Sequence, residues 1–238
     1  MVERTERREM KSVIVMGKGE LAIRIADWFK RSTDWRLISI VPVIPEPDWT
    51  ESFAMWGRDN LVDVVASGDY RDIDMDAIDL VFSVYYDKII RQSFIDKCVK
   101  ILNLHNAPLP KYRGVRPINW ALKEGRTSHG VTIHAIEAGI DSGPIYGQMT
   151  FGMNPELDEV KDVYSRCLYH GWELFLHVMD GIEYIVPVPQ DELRSTYYGA
   201  DMNSMLWERV GWTRAESMPE WFRNCGRDEF DNDDKLVR

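Results

Sequence analysis

The sequence has few of the features that mark membrane, disulfide-rich or nucleic-acid-binding proteins. Its 238 residues contain no run of about eighteen apolar residues, so no transmembrane helix and no membrane partner are predicted. Its three cysteines are far apart and form no Cys-x-x-Cys pair, which favours reduced cysteines in a cytoplasmic protein over a disulfide framework or a zinc site. The net charge of −10 lacks the basic footprint that a nucleic-acid partner requires.

The chain has no internal repeat or low-complexity segment, and its composition is that of a globular protein. Residues 1–11 mix both charge signs without an apolar core, which predicts a charged tail rather than a signal peptide. We expect one large domain over 12–185. A small, irregular C-terminal extension is expected over 186–238.

Apolar strand-like runs alternate with helical periodicity in the first half of the chain. The predicted strands there cover 12–16, 37–41, 80–85 and 101–105, with helices over 20–31, 51–66 and 91–97. This alternation predicts an α/β fold of Rossmann-like type, with a mostly parallel sheet and helices on both faces. Further on, Asn154 is predicted to cap a helix that runs to about residue 180. Residues 182–188 are predicted to form a strand.

A glycine-rich turn follows the first predicted strand. Gly17, Gly19 and Ala22 fit a loose form of the dinucleotide-binding fingerprint. That function needs an acidic residue at the end of the next strand, and a proline-broken stretch stands there instead. A phosphate cradle for another ligand, or a tight strand-to-helix turn, is favoured over NAD.

The most informative stretch runs from 101 to 143. Asn103 and His105 are two residues apart at the end of a predicted strand, so their side chains share one face. Asp141 lies in a glycine-flanked loop that can return to meet them. An amide, an imidazole and a carboxylate suit proton transfer and oxyanion stabilisation. The alternatives are a structural histidine, a turn-capping asparagine and an Asx turn.

The strings around these residues resemble the folate-dependent formyltransferase family, and most of all the sugar N-formyltransferases. The match consists of Asn103-Leu-His105, a Leu-Pro-x-x-Arg-Gly loop at 109–114, and the motif Gly-Ile-Asp-Ser-Gly at 139–143. The resemblance implies 10-formyltetrahydrofolate as the formyl donor and requires no metal. It implies His105 as the general base, Asn103 as an oxyanion donor and Asp141 as the assisting carboxylate. It further implies donor contacts from Lys88, Ile89, Ile90, Glu137, Ala138, Gly139, Ile140 and Asp141.

The resemblance also implies that a nucleotide-linked amino sugar is the acceptor. Arg113 or Arg116, with Lys111, is expected to meet the diphosphate, although Arg113 is equally suited to clamp its own loop. The full set of expected substrate contacts is Tyr85, Asn106, Pro108, Lys111, Tyr112, Arg113, Arg116, Trp120, Gln190 and Tyr197.

Several amines remain open as acceptors. A dTDP-4-amino-4,6-dideoxyhexose is favoured, the glucose form or a close epimer, and UDP-aminoarabinose is the nearest alternative. Glycinamide ribonucleotide is disfavoured because Gly17-Lys-Gly19 is not followed by the serine and asparagine of that phosphate loop. Methionyl-tRNA is disfavoured because the chain after Gln190 is acidic. A binding protein without catalysis is the remaining alternative.

The C-terminal region is rich in aromatic residues, with Trp207, Trp212 and Trp221. Packing onto the domain is the expected role of these tryptophans, with base stacking or a homodimer interface as alternatives.

Overall fold

The computed structural model describes residues 10–73 and 78–206. The chain divides into two compact units, Met1–Leu102 and Asn103–Arg238. The fold is α/β with a mostly parallel sheet, as the sequence predicts. The three tryptophans after residue 206 lie outside the described residues.

The first unit is built on parallel strands. They are β1 (Lys11–Gly17), β2 (Trp35–Pro42), β3 (Asp63–Val64) and β4 (Leu80–Val84), in the order β3-β2-β1-β4. Val13 to Met16 are all fully buried, which is typical of a strand in a parallel sheet that is covered on both faces. The α-helices among the described residues of this unit are α1 (Gly19–Arg31), α2 (Phe53–Asp59) and α3 (Gln92–Ile95).

Helix α1 confirms the periodicity seen in the sequence. Leu21, Ile25 and Phe29 are buried on one stripe, as expected for a surface helix that packs against a sheet.

Helix α2 is shorter than the sequence predicts. The helix expected over 51–66 is wrong, because α2 ends at Asp59 and the chain then enters β3. At its start, Ser52 caps α2 by accepting a hydrogen bond from the Met55 amide at 3.0 Å.

Up to residue 206, the second unit contains an antiparallel hairpin and two α-helices. Strand β5 (Ile101–His105) crosses the boundary at 102/103, and it is followed by β6 (Arg113–Gly114), α4 (Pro117–Lys123), β7 (Ser128–Ala135), β8 (Ile145–Gly152) and α5 (Val160–Gly181). Strands β7 and β8 pair antiparallel, and their connection carries the glycine-flanked loop. In the sheet, β7 lies between β5 and β8.

The C-terminal extension returns to the loop after β5. Strand β9 (Tyr197–Tyr198) pairs parallel with β6, and the described remainder includes short 3-10 turns at Glu192–Arg194 and Ala200–Leu206. The extension is therefore irregular, as predicted, up to residue 206.

Two local predictions in the second unit are wrong. Asn154 closes only a turn, because α5 begins at Val160 behind a capping box formed by Glu159 and Asp162. The strand predicted over 182–188 is reduced to a single bridge between Val188 and Ile145.

Candidate active site

The end of β5 presents a polar face. Leu102 and Leu104 are fully buried in the core, so the alternate side chains of Asn103 and His105 lie together on the other face. His105 is 8% exposed and Asn103 is half-buried. The sequence therefore predicts correctly that an amide and an imidazole share one side of the strand end.

A network of buried hydrogen bonds shapes the loop after His105. The Thr132 hydroxyl donates to Ala107 O at 2.6 Å and accepts from the Leu109 amide at 3.1 Å. The Gln148 side-chain amide donates to Leu109 O and to Thr132 Oγ1 at 2.7 and 2.8 Å. Thr132 is fully buried, so these bonds satisfy polar groups that water does not reach.

This loop fixes the tautomer of His105. His105 Nε2 lies 2.9 Å from the backbone oxygen of Tyr112. A carbonyl oxygen only accepts, so Nε2 donates and Nδ1 is the nitrogen that can take a proton. Tyr112 has φ of 63°, a left-handed conformation that directs its carbonyl in this way.

The Asp141 carboxylate joins the residues at the end of β5. Its Oδ2 accepts from the Gly114 amide at 2.9 Å and lies 3.7 Å from His105 Nδ1. Its Oδ1 lies 3.5 Å from His134 Nε2. Burial disfavours the charged carboxylate, but His105 and the hydrogen bond from the Gly114 amide outweigh burial and hold the pKa of Asp141 well below its usual range. The carboxylate is therefore charged in the folded protein at neutral pH.

His134 is a site residue that the sequence analysis does not assign. Its Nδ1 lies 2.8 Å from Ala135 O and donates to it, so Nε2 accepts from the Asn103 amide at 3.2 Å. This contact uses one N–H of the Asn103 amide and orients that side chain. The sequence feature that could have identified His134 is its position near the end of β7, shortly before the loop that carries Asp141.

The arrangement suits transfer of an acyl group to an amine. His105 Nδ1 can accept a proton, the Asn103 amide can donate to an oxygen that gains negative charge, and Asp141 can stabilise the histidine once it is charged. All of these groups lie in the second unit. The structure thus brings together the three residues that the sequence singles out and adds His134 to them.

The segments expected to hold the formyl donor are accessible. Glu137 to Ile140 are exposed, with Ile140 at 43%. In the first unit, Ile89 is 75% exposed, which argues against a core-packing role for it. Lys88 donates to Gly68 O at 2.8 Å. Donor binding by these residues stays a prediction.

Among the expected substrate contacts, Arg113 is engaged within the protein. Its guanidinium donates to Gln190 Oε1 at 3.1 and 2.8 Å and to the Glu192 carboxylate at 2.9 and 2.7 Å. Arg113 is 7% exposed, so the structure favours its role as a clamp on its own loop. Lys111 and Arg116 are exposed on either side of it.

Two of the aromatic residues expected to contact substrate are stacked within the protein. The Trp120 and Tyr198 rings lie 4.3 Å apart at 21°, and the Tyr112 ring lies 5.8 Å from that of Tyr198. The hydroxyls of both tyrosines donate to Glu124. These contacts give Trp120 and Tyr112 a packing role that the sequence does not reveal.

The other expected substrate contacts differ in exposure. Tyr197 is 53% exposed. Tyr85 has a left-handed φ of 58° just after β4. Asn106 and Pro108 are half-buried. Substrate binding by these four residues stays a prediction.

Residues 10–73 and 78–206 contain neither a metal-binding group of side chains nor a membrane-spanning helix. No group of three His, Cys, Asp or Glu side chains there could hold a metal ion. No helix in the same ranges is long and apolar enough to cross a membrane.

Comparison with known proteins supports the resemblance. Residues 67–179 match the family model described as formyl transferase. The chain is 31% identical over 125 residues to a methionyl-tRNA formyltransferase of Trichlorobacter lovleyi, a match that covers 50% of this chain and 38% of that protein. The chain spans between 37% and 47% of the length of the first curated relatives that it matches.

Solved structures of other proteins share the fold. An N-formyltransferase from Helicobacter canadensis in complex with folinic acid and dTDP-3-aminofucose aligns with a TM-score of 0.71 at 24% identity, covering 81% of this chain and 72% of that one. A formyltransferase from Anoxybacillus kamchatkensis in complex with a UDP-linked formamido sugar and tetrahydrofolate aligns with a TM-score of 0.61 at 21% identity, covering 84% and 93%. The resemblance to the formyltransferases is confirmed.

Proposed function

We propose that the protein transfers a formyl group from 10-formyltetrahydrofolate to the amino group of a nucleotide-linked amino sugar. The observation that carries the proposal is the assembly of Asn103, His105 and Asp141 at one place in the second unit. The formyl transferase match over residues 67–179 supports the reaction class. The sugar acceptor is supported by the complexes of the two structural neighbours.

The chemistry follows from the groups present. The acceptor amine attacks the formyl carbon, a new C–N bond forms, and the bond from that carbon to the folate nitrogen breaks. His105 Nδ1 takes the proton that the amine loses and returns it to the departing nitrogen. The second N–H of Asn103 stabilises the negative charge that develops on the formyl oxygen. Asp141, 3.7 Å from Nδ1, stabilises the charged form of His105.

The residues near Asp141 suit a pterin ring. The exposed segment from Glu137 to Ile140 offers backbone amide and carbonyl groups, and Ile140 offers apolar surface. The donor supplies the activated formyl group, and the protein positions it. We also propose that Lys88, Ile89 and Ile90 contact the formyl donor.

The diphosphate of the acceptor is assigned to Lys111 and Arg116. Both side chains are exposed, whereas the Arg113 guanidinium is bound to Gln190 and Glu192. A lysine and an arginine that flank one loop provide the charge that a diphosphate requires. The favoured acceptor is dTDP-4-amino-4,6-dideoxyglucose or a close epimer, with a UDP-linked sugar as the alternative.

Methionyl-tRNA is the second candidate acceptor, because the curated relatives found by sequence include methionyl-tRNA formyltransferases. The net charge of −10 opposes it, since a tRNA backbone binds to basic surfaces.

A formyl-transfer assay with 10-formyltetrahydrofolate and dTDP-4-amino-4,6-dideoxyglucose tests the proposal. We expect product from the wild type and a kcat lower by about two to four orders of magnitude in His105→Asn, because the general base is lost. His177→Asn, which changes an exposed histidine on α5, is the matched control and should keep full activity. Unchanged turnover in His105→Asn would refute the mechanism, and no product with any amino sugar would refute the acceptor class.

A further inference from the structure

The Gln190 side chain bridges two loops of the second unit. Its Nε2 donates to the backbone oxygens of Asp141 and Gly143, both at 2.8 Å. Its Oε1 accepts two hydrogen bonds from the Arg113 guanidinium. Both N–H groups and both lone pairs of the amide are therefore used inside the protein.

One of these loops carries the Asp141 carboxylate. Asp141 has φ of 49°, a left-handed conformation that is uncommon outside glycine, although aspartate adopts it more readily than most residues. Gln190 fixes the carbonyl of Asp141 itself and that of Gly143 two residues later. With both carbonyls held, the backbone from which the Asp141 side chain projects is fixed, and the Gly114 amide holds the carboxylate itself.

The other loop holds His105. Arg113 stands between Tyr112, whose carbonyl accepts from His105 Nε2, and Gly114, whose amide donates to Asp141 Oδ2. By binding the Arg113 guanidinium, Gln190 ties this loop to the one that carries Asp141.

We propose that Gln190 is a positioning residue that sets the Asp141 carboxylate against His105, rather than a contact to substrate. The inference rests on the proposed function. Displacement of a catalytic group by about 1 Å can cost about a hundredfold in rate, so loss of this bridge should appear in kcat and leave substrate binding unchanged.

Two variants separate the contacts of Gln190. Gln190→Met keeps the length of the side chain and removes every hydrogen bond. Gln190→Glu keeps acceptors for Arg113 and removes both donors to the Asp141 loop. Gln92→Met, which changes an exposed glutamine on α3, is the matched control. The measurements are kcat, KM for both substrates and the hydrogen-exchange rate of the Gly114 amide.

We expect both Gln190 variants to lose about ten- to a hundredfold in kcat, with KM within about twofold of the wild type. Gly114 should exchange about tenfold faster in both, because its acceptor has moved. A raised KM with unchanged kcat and unchanged Gly114 exchange would overturn the inference. If the wild type formylates no amino sugar, the proposed function fails, and Gly114 exchange still decides the role of Gln190.

Discussion

His129 and His105 are both buried histidines of the second unit, and their surroundings give them different roles. His129 is fully buried, and its Nε2 lies 2.8 Å from Asn106 O and donates to it. Burial lowers the pKa of His129 to about 4, against the opposing effect of that hydrogen bond. His129 is thus a neutral structural residue, whereas His105 lies against Asp141.

The low pKa of His129 predicts that the protein loses stability on acidification. An unfolded histidine has a pKa of about 6.5, so the unfolded state binds this proton first. The contribution of His129 to the free energy of unfolding is complete above about pH 6.5. It is lost as the pH falls to about 4, a loss of about 3 kcal/mol. Urea unfolding at pH 7 and pH 4 should show this loss in the wild type and a smaller one in His129→Gln. Parallel losses in the two proteins would contradict the assignment, and exposed His177→Gln should behave as the wild type.

At the scale of elements, the turn from β1 to α1 explains the first glycine of the motif without a ligand. A Cβ at Gly17 would lie 2.1 Å from Val84 O on the neighbouring strand β4. The Lys18 amide also donates to that oxygen at 3.3 Å. The first glycine is therefore required by the close approach of two strands, which favours the tight-turn interpretation.

Gly17→Ala should destabilise the protein by about 1–3 kcal/mol, because a rigid backbone oxygen occupies the space of the added methyl group. Gly125→Ala is the control, since Gly125 also has a positive φ, 68°, but no atom lies within 4 Å of its Cβ. Gly125→Ala should lower the free energy of unfolding by about 1 kcal/mol, because only the left-handed backbone conformation opposes the substitution. The measurement is urea unfolding of both variants, and equal losses would show that crowding at Gly17 is unimportant.

The sequence predicts elements whose signal is local. The apolar run that ends at His105 and the glycines around Asp141 are such signals, and the structure confirms the meeting of their side chains. The pairing of β6 with β9 has no such signal, because two-residue strands show no periodicity and Tyr112 meets Thr196 from 84 residues away. The start of α5 escapes prediction because Glu159 caps it in place of a favoured residue type.

At the scale of the whole molecule, charge bears on the choice of acceptor. The sequence carries 39 acidic and 29 basic residues, a net charge of −10. A tRNA is held mainly through phosphate contacts to lysine and arginine, and its binding weakens as the salt concentration rises, because the release of counterions then contributes less free energy. A nucleotide sugar needs only a local pair of cations, such as Lys111 and Arg116.

We therefore expect kcat/KM for methionyl-tRNA to be lower than that for the dTDP-linked amino sugar by about a hundredfold or more. Both acceptors are assayed with the same formyl donor at the same low ionic strength, where electrostatic binding to tRNA is strongest. A gel shift with uncharged tRNA under those conditions should show no complex. Comparable turnover of methionyl-tRNA would keep the roles of Asn103, His105 and Asp141 and overturn the sugar acceptor, because the same three groups serve any amine that reaches the formyl carbon.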